Sequence, residues 1–131
     1  MNYVKINGIL YPAEIMGKRQ DRDWNARESK AINLEMDYAT AMATFVDGLA
    51  WYIVTVTPVT KLRKDENGEP VLGEEGNPVY HSEDLVEEFD NTDYCVAGPV
   101  TDNRDGTVTV KMGKKTDSEM LAELWEVLGN D

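Results

Sequence analysis

The chain has 131 residues, with 13 basic and 25 acidic side chains, a formal net charge of −12 and one cysteine, Cys95. That length makes one domain able to bury a core. The lone cysteine excludes an internal disulfide and a cysteine-rich zinc site, and the negative balance disfavours nucleic-acid binding.

The charge is unevenly spread. Residues 65–93 hold 11 of the 25 acids and none of the bases, so the rest of the chain is close to neutral. The segment reads as an acidic hairpin-like or mobile excursion from a single domain spanning 1–131. The chain opens without an apolar leader, and its longest apolar run, Leu49 to Val54, is too short to cross a bilayer. No membrane is therefore expected as a partner.

In chain order, Val4 and Ile6, Asn7-Gly8, then Ile9 and Tyr11 predict a hairpin, because Asn-Gly accepts the positive φ of a tight turn. Pro12 lacks an amide hydrogen and predicts an edge strand or a strand end. Gly17 to Glu28 is polar and of mixed charge and reads as a loop, with Trp24 as its one large apolar residue. A tryptophan there either anchors the loop to the core, which is the favoured reading, or meets a partner. Asp21-x-Asp23-x-Asn25 opens like a calcium loop, but Ala26 and Ile32 stand where the glycine and the bidentate glutamate belong.

Ile32, Leu34 and Met36 alternate with Asn33 and Glu35, the period of a strand with one dry face. Asp37 is a candidate N-cap for a short helix whose stripe is Tyr38, Met42, Phe45 and Val46, ended by Gly48. Leu49 to Val56 reads as a central strand covered on both faces, ended at Thr57-Pro58, with Val59 to Lys64 resuming weakly. The aromatics here read as core rather than as a ligand site.

Asn67-Gly-Glu-Pro-Val71 is echoed by Gly76-Asn-Pro-Val79, in a turn-rich stretch that cannot bury much apolar surface. Lys61, Arg63 and Lys64 are placed to pair across strands with Glu83 or Glu87. His81 is the only histidine, which leaves neither a transition-metal donor set nor a supported catalytic triad. Cys95, between Tyr94 and Val96, reads as an inert buried thiol. Tyr94 to Thr101, kinked at Gly98-Pro99, leads through Asp102 to Gly106 into the alternating run Thr107 to Met112, a second hairpin. Thr116-x-x-Glu119 opens a C-terminal helix with a capping box, and Met120, Leu121, Leu124, Trp125, Val127 and Leu128 form its apolar stripe. The stripe is expected to pack on the protein's own sheet; docking on another subunit is the alternative.

The expected fold class is α+β: an antiparallel-rich sheet or partly open barrel of about six to eight strands, with one short internal helix and one C-terminal helix. No catalytic, cofactor-binding or metal residues are assigned. The candidate partner-contact residues are Trp24, Leu121 and Trp125.

Three stretches carry a resemblance: Tyr3-Val-Lys-Ile-Asn-Gly-Ile-Leu-Tyr-Pro-Ala-Glu-Ile15, Asp21-Arg-Asp-Trp-Asn-Ala-Arg-Glu-Ser-Lys-Ala-Ile-Asn-Leu-Glu-Met36 and Asp102-Asn-Arg-Asp-Gly-Thr-Val-Thr-Val-Lys-Met-Gly113. Together, over about a third of the chain, they resemble small uncharacterised prophage-encoded proteins of Gram-positive bacteria, often from the tail region. The resemblance implies a non-enzymatic structural or accessory role, tail-associated, acting through other phage proteins or self-association. It also implies a location in the host cytoplasm or in the virion assembled there. Two other classes stay open: an acidic inhibitor that mimics nucleic acid, and a small hydrolase or carbohydrate-binding enzyme, which would show two carboxylates converging in a cleft with raised pKa values.

Overall fold

The computed structural model describes residues 1–129. Seven strands form an antiparallel sheet that does not close into a barrel: β1 (Asn2–Ile6), β2 (Ile9–Asp21), β3 (Arg27–Glu35), β4 (Tyr52–Leu62), β5 (Tyr80–Asp90), β6 (Val96–Asp102) and β7 (Thr107–Gly113). Their order is β5-β4-β1-β2-β3-β7-β6. Helix α1 (Tyr38–Thr44) is internal, and α2 (Asp117–Gly129) follows β7. The fold is α+β, with the two helices in the expected places. Chain proximity divides it into two compact units, one of Met1 with Thr55–Glu87, the other of Asn2–Val54 with the chain from Glu88 onward.

In the larger unit, period-two alternation sends one set of side chains to a dry face. Val4 and Ile6 of β1, Ile32 and Leu34 of β3, and Val108, Val110 and Met112 of β7 are buried there. Ile32 lies opposite Val110 and Leu34 opposite Val108, so the two central alternations interlock in register. Ala41, Phe45 and Trp51 complete the cluster.

Both expected hairpins are present. Asn7 (φ 52°) and Gly8 (φ 78°) turn β1 into β2, and Asn103 to Gly106 joins β6 to β7, with a register shift at Gly98-Pro99. Pro12, however, neither ends β2 nor lies at an edge. β1 is paired through Pro12, and pairing with β3 begins only at Ala13, so Pro12 owes no amide to the second neighbour.

The reading of Gly17 to Glu28 as a loop also needs correction. β2 continues to Asp21 across a register shift, Arg22–Trp24 make one 3-10 turn, and β3 starts at Arg27. Asn25 and Ala26, both left-handed, make the reversal. Polar residues hid the strand because its side chains from Met16 to Gln20 are exposed, while its backbone pairs with β3 as far as Lys18 and again at Asp21.

Asp37 caps α1 as expected, accepting from the Thr40 amide at 3.0 Å. The buried pair is Ala41 and Phe45, one turn apart, whereas Tyr38, Met42 and Val46 are exposed. β4 lies second from the edge, and it runs past Pro58 to Leu62 instead of ending. Only Trp51, fully buried just before it, and Val54 are enclosed.

In the smaller unit, Lys61 meets Glu83 at 2.9 Å across β4 and β5. The sequence echo is an echo in structure. Lys64 bridges Pro70 and Leu72 bridges Pro78, each around a glycine at φ 79°, Gly68 and Gly76. Within residues 65–93, Tyr80–Asp90 is strand β5, and Asn91 is buried.

Candidate interaction surface

Parity along β3 places Arg27, Ser29, Ala31 and Asn33 on the face opposite the hydrocarbon core. A charged cluster occupies its end. Asp21, fully buried, accepts from Lys111 Nζ at 2.9 Å, from Ser29 Oγ at 3.1 Å and from the Asp23 amide at 3.2 Å. The Lys111 hydrogen bond holds its carboxyl below the ordinary range. Asp21 is thus spoken for by a lysine and a hydroxyl, in the stretch that superficially opened like a calcium loop.

Beside it, Trp24 lies on two glycines. A Cβ added at Gly98 would come within 2.7 Å of the indole, and one at Gly113 within 2.8 Å, so both positions leave room for the ring. The guanidinium of Arg27 stacks 4.5 Å from the indole centroid, a cation–π arrangement. Arg27, 5% exposed, then reaches α2. Its two terminal nitrogens donate to Glu119 at 2.7 and 3.1 Å, and one also donates to the Lys114 carbonyl at 3.0 Å.

Glu119 has a second duty. It accepts from the Thr116 amide at 2.9 Å, while Thr116 Oγ accepts from the Glu119 amide at 3.2 Å, which is the capping box expected from the sequence. The Arg27 hydrogen bond is the main reason the Glu119 carboxyl is held down at about 2. Lys115 to Glu123, at 2.7 Å, adds a third tie.

These ties grip the first turns of α2 and leave its apolar stripe uncovered. Trp125 is 67% exposed and Leu121 55%, with Met120, Leu124, Val127 and Leu128 similarly open. The expected packing of the stripe on the protein's own sheet is therefore not what the structure shows. A cavity of about 440 Å³ next to the helix, lined by Asp47, Gly48, Cys95, Val96, Lys115, Glu119 and Glu123, is touched by no residue of the stripe. Cys95 is half-buried there as a free thiol.

On the core face, Tyr94 organises a second charged group. Its hydroxyl donates to Glu28, its ring lies 4.4 Å from Lys30 Nζ and 5.1 Å from Lys114 Nζ, and its carbonyl accepts from Trp51 Nε1 at 2.9 Å. Burial, then the bond to Glu28, pushes the phenol up to about 12. Glu28 itself is lowered, first by the Tyr94 hydroxyl and then by Lys114 at 3.3 Å.

The three sequence candidates thus fall in two settings. Trp24 is packed against Gly98 and Gly113 and is joined to α2 through Arg27, whereas Leu121 and Trp125 stand on the open stripe. Arg27, Asp21 and Tyr94 were missed. Only Glu119 carried a sequence signal, its capping spacing. No helix among the described residues is long and apolar enough to cross a membrane. Comparison with family models, with curated proteins and with solved structures gave no match.

Proposed function

We propose that this chain is a non-enzymatic structural or accessory protein of a phage or prophage, tail-associated, and that it works by presenting α2 to another protein. The observation carrying this is the combination of a gripped helix start and an uncovered stripe. Arg27 and the capping box fix α2 while Leu121 and Trp125 stay in solvent. Six large apolar side chains make a patch on the order of several hundred Å², a size that marks contact surfaces, and exposed tryptophan is a typical anchor.

Charge narrows the partner. α2 carries Asp117, Glu119, Glu123 and Glu126 and no base. Two copies of α2 laid face to face would oppose like charges. A different tail protein with an apolar groove rimmed by lysine or arginine fits better. Set against the hydrolase alternative, Asp21, Glu28 and Glu119 are all held below the ordinary carboxyl range, opposite to what a general acid needs.

The test is light scattering on the protein mixed with the products of neighbouring genes, at physiological salt. A defined complex is expected, lost on Leu121→Glu with Trp125→Glu. If none of those products binds, or if the double variant binds as well as the parent, the proposal fails.

A further inference from the structure

The Tyr94 group opens to solvent as a nook of about 130 Å³ lined by Gly17, Lys18, Arg19, Glu28, Ser29 and Tyr94. Gly17 lies opposite Lys30 in the β2–β3 ladder, and a Cβ there would meet nothing within 4 Å, so the space is real and shaped by a missing side chain. Two cations line it, Lys18 and Arg19, while Lys30 and Lys114 lie over the Tyr94 ring behind it, Lys30 Nζ also donating to Asn91 Oδ1 at 2.5 Å. Glu28 is the one carboxylate lining it, and it is already engaged by Tyr94 and Lys114. Lys18, Arg19 and Lys30 form no ion pair among the described residues. In a chain of net charge −12, that is a local positive surplus.

The complementary surface lies on the same polypeptide. The two-turn tip of the smaller unit, Asp65 to Gly76, carries Asp65, Glu66, Glu69, Glu74 and Glu75 and no base. Asp65 accepts from the amides of Asn67 and Glu69 and so stiffens its own turn. The four glutamates are exposed and form no ion pair among the described residues. The paired glycine turns hold these acids on a defined ribbon end.

We propose that the nook lined by Lys18, Arg19 and Tyr94 receives the acidic ribbon tip of a second copy of this chain. Carboxylates of one copy replace water around the lysine and the arginine of the next. The tip and the nook are different surfaces, so the contact is heterologous. Two copies can therefore exchange tips and close a dimer, or add head to tail into longer assemblies. Rim ion pairs of this kind are screened by salt, because the Debye length falls from about 10 Å at 0.1 M to about 3 Å at 1 M. This contact uses no residue of α2 and stands apart from the α2 proposal.

The experiment is sedimentation velocity on the full chain over a wide concentration range, at about 20 mM and about 0.5 M NaCl. Concentration-dependent association, to a closed dimer or beyond, is expected at low salt, and its loss at high salt. Lys18→Glu with Arg19→Glu, and separately Glu74→Lys with Glu75→Lys, should each weaken it about tenfold or more. Mixing the two variants should restore association, because the acidic tip of one meets the intact nook of the other and the reversed tip meets the reversed nook. All four positions are exposed, so far-UV circular dichroism should match the parent. The Leu121→Glu, Trp125→Glu variant should still self-associate. A chain that stays monomeric at every concentration at low salt overturns the proposal, as does an association that ignores both charge reversals or vanishes with the α2 variant.

Discussion

Removing the exposed partner of the Arg27–Glu119 pair should cost more than removing the buried one. Arg27 has a side chain 3% exposed, whereas that of Glu119 is 42% exposed. Glu119→Ala leaves a guanidinium enclosed by Trp24 and the β-sheet with only the Lys114 carbonyl as acceptor. Breaking a buried pair from one side costs about 3–5 kcal/mol. Water reaching the vacated Glu119 site offsets part of this, and loss of the capping box adds about 1 kcal/mol. A net loss of about 3 kcal/mol, or about 10 °C in Tm for a chain of this size, is expected. Arg27→Met removes the charge, keeps apolar contact with the indole, and lets Glu119 turn to solvent while still capping the helix. Its expected cost is about 1 kcal/mol. The assay is urea unfolding followed by tryptophan fluorescence. A smaller loss for Glu119→Ala than for Arg27→Met would refute the reasoning. The pH dependence follows with a definite sign. A carboxyl lowered to about 2 gives stability that is present in full above its unfolded value, 4.5, and lost as pH falls towards about 2. Glu119→Gln should flatten the stability profile in that window.

The other expectations are narrower. Gly98→Ala and Gly113→Ala each drive a methyl into Trp24 or Arg27 at under 3 Å and should cost about 1–3 kcal/mol, with a shifted tryptophan emission. Ile32→Ala, in the middle of the core and opposite Val110, should cost about 3–4 kcal/mol in the same unfolding assay. In a spectrophotometric titration Tyr94 should ionise only as pH rises towards about 12. Its raised pKa means its contribution to stability is complete below pH 10 and lost as pH rises through about 12. Replacing residues 64–78 by Asn-Gly closes a two-residue turn between Arg63 and Val79, which are already hydrogen-bonded at 2.8 Å. Because the removed residues are exposed apart from half-buried Val71, Tm should move by no more than a few degrees; a failure to fold would show that the tip is needed for folding.

Much of the fold was legible because local chemistry and tertiary structure agree there. Asn7-Gly8, Asp37, the β7 alternation and Thr116 with Glu119 act through neighbours in sequence, and each appears as expected. The failures share a cause: they depend on partners far along the chain. The extension of β2 to Asp21 is held by pairing with β3, the buried carboxylate by Lys111 ninety residues on, and the Trp24 seat by glycines of β6 and β7. None of these leaves a periodic signal. The α1 stripe misled differently. The seven-residue helix buries one position, Ala41, with Phe45 buried at its C-cap, whereas hydrophobicity alone also pointed to Met42. Of the candidate surface, Leu121 and Trp125 could be read from spacing, but that their stripe is uncovered could not, since an amphipathic pattern is the same whether its cover is internal or foreign.

An open sheet must also keep its two edges from pairing at random. The outer strand β5 bears Glu83, Asp84, Glu87, Glu88 and Asp90, so a second β5 aligned beside it would stack carboxylates. The other outer strand, β6, carries Pro99, which offers no amide, at a register shift that breaks its ladder. Backbone-mediated growth is thus opposed at both ends by side-chain chemistry. The two contacts proposed above are of a different kind: they use side chains, those of the apolar α2 stripe in one and those of the basic nook and the acidic tip in the other. If so, adding salt and mutating α2 should weaken different contacts. An assembly that responds to both in the same way would mean that a single surface, not two, holds copies and partners together.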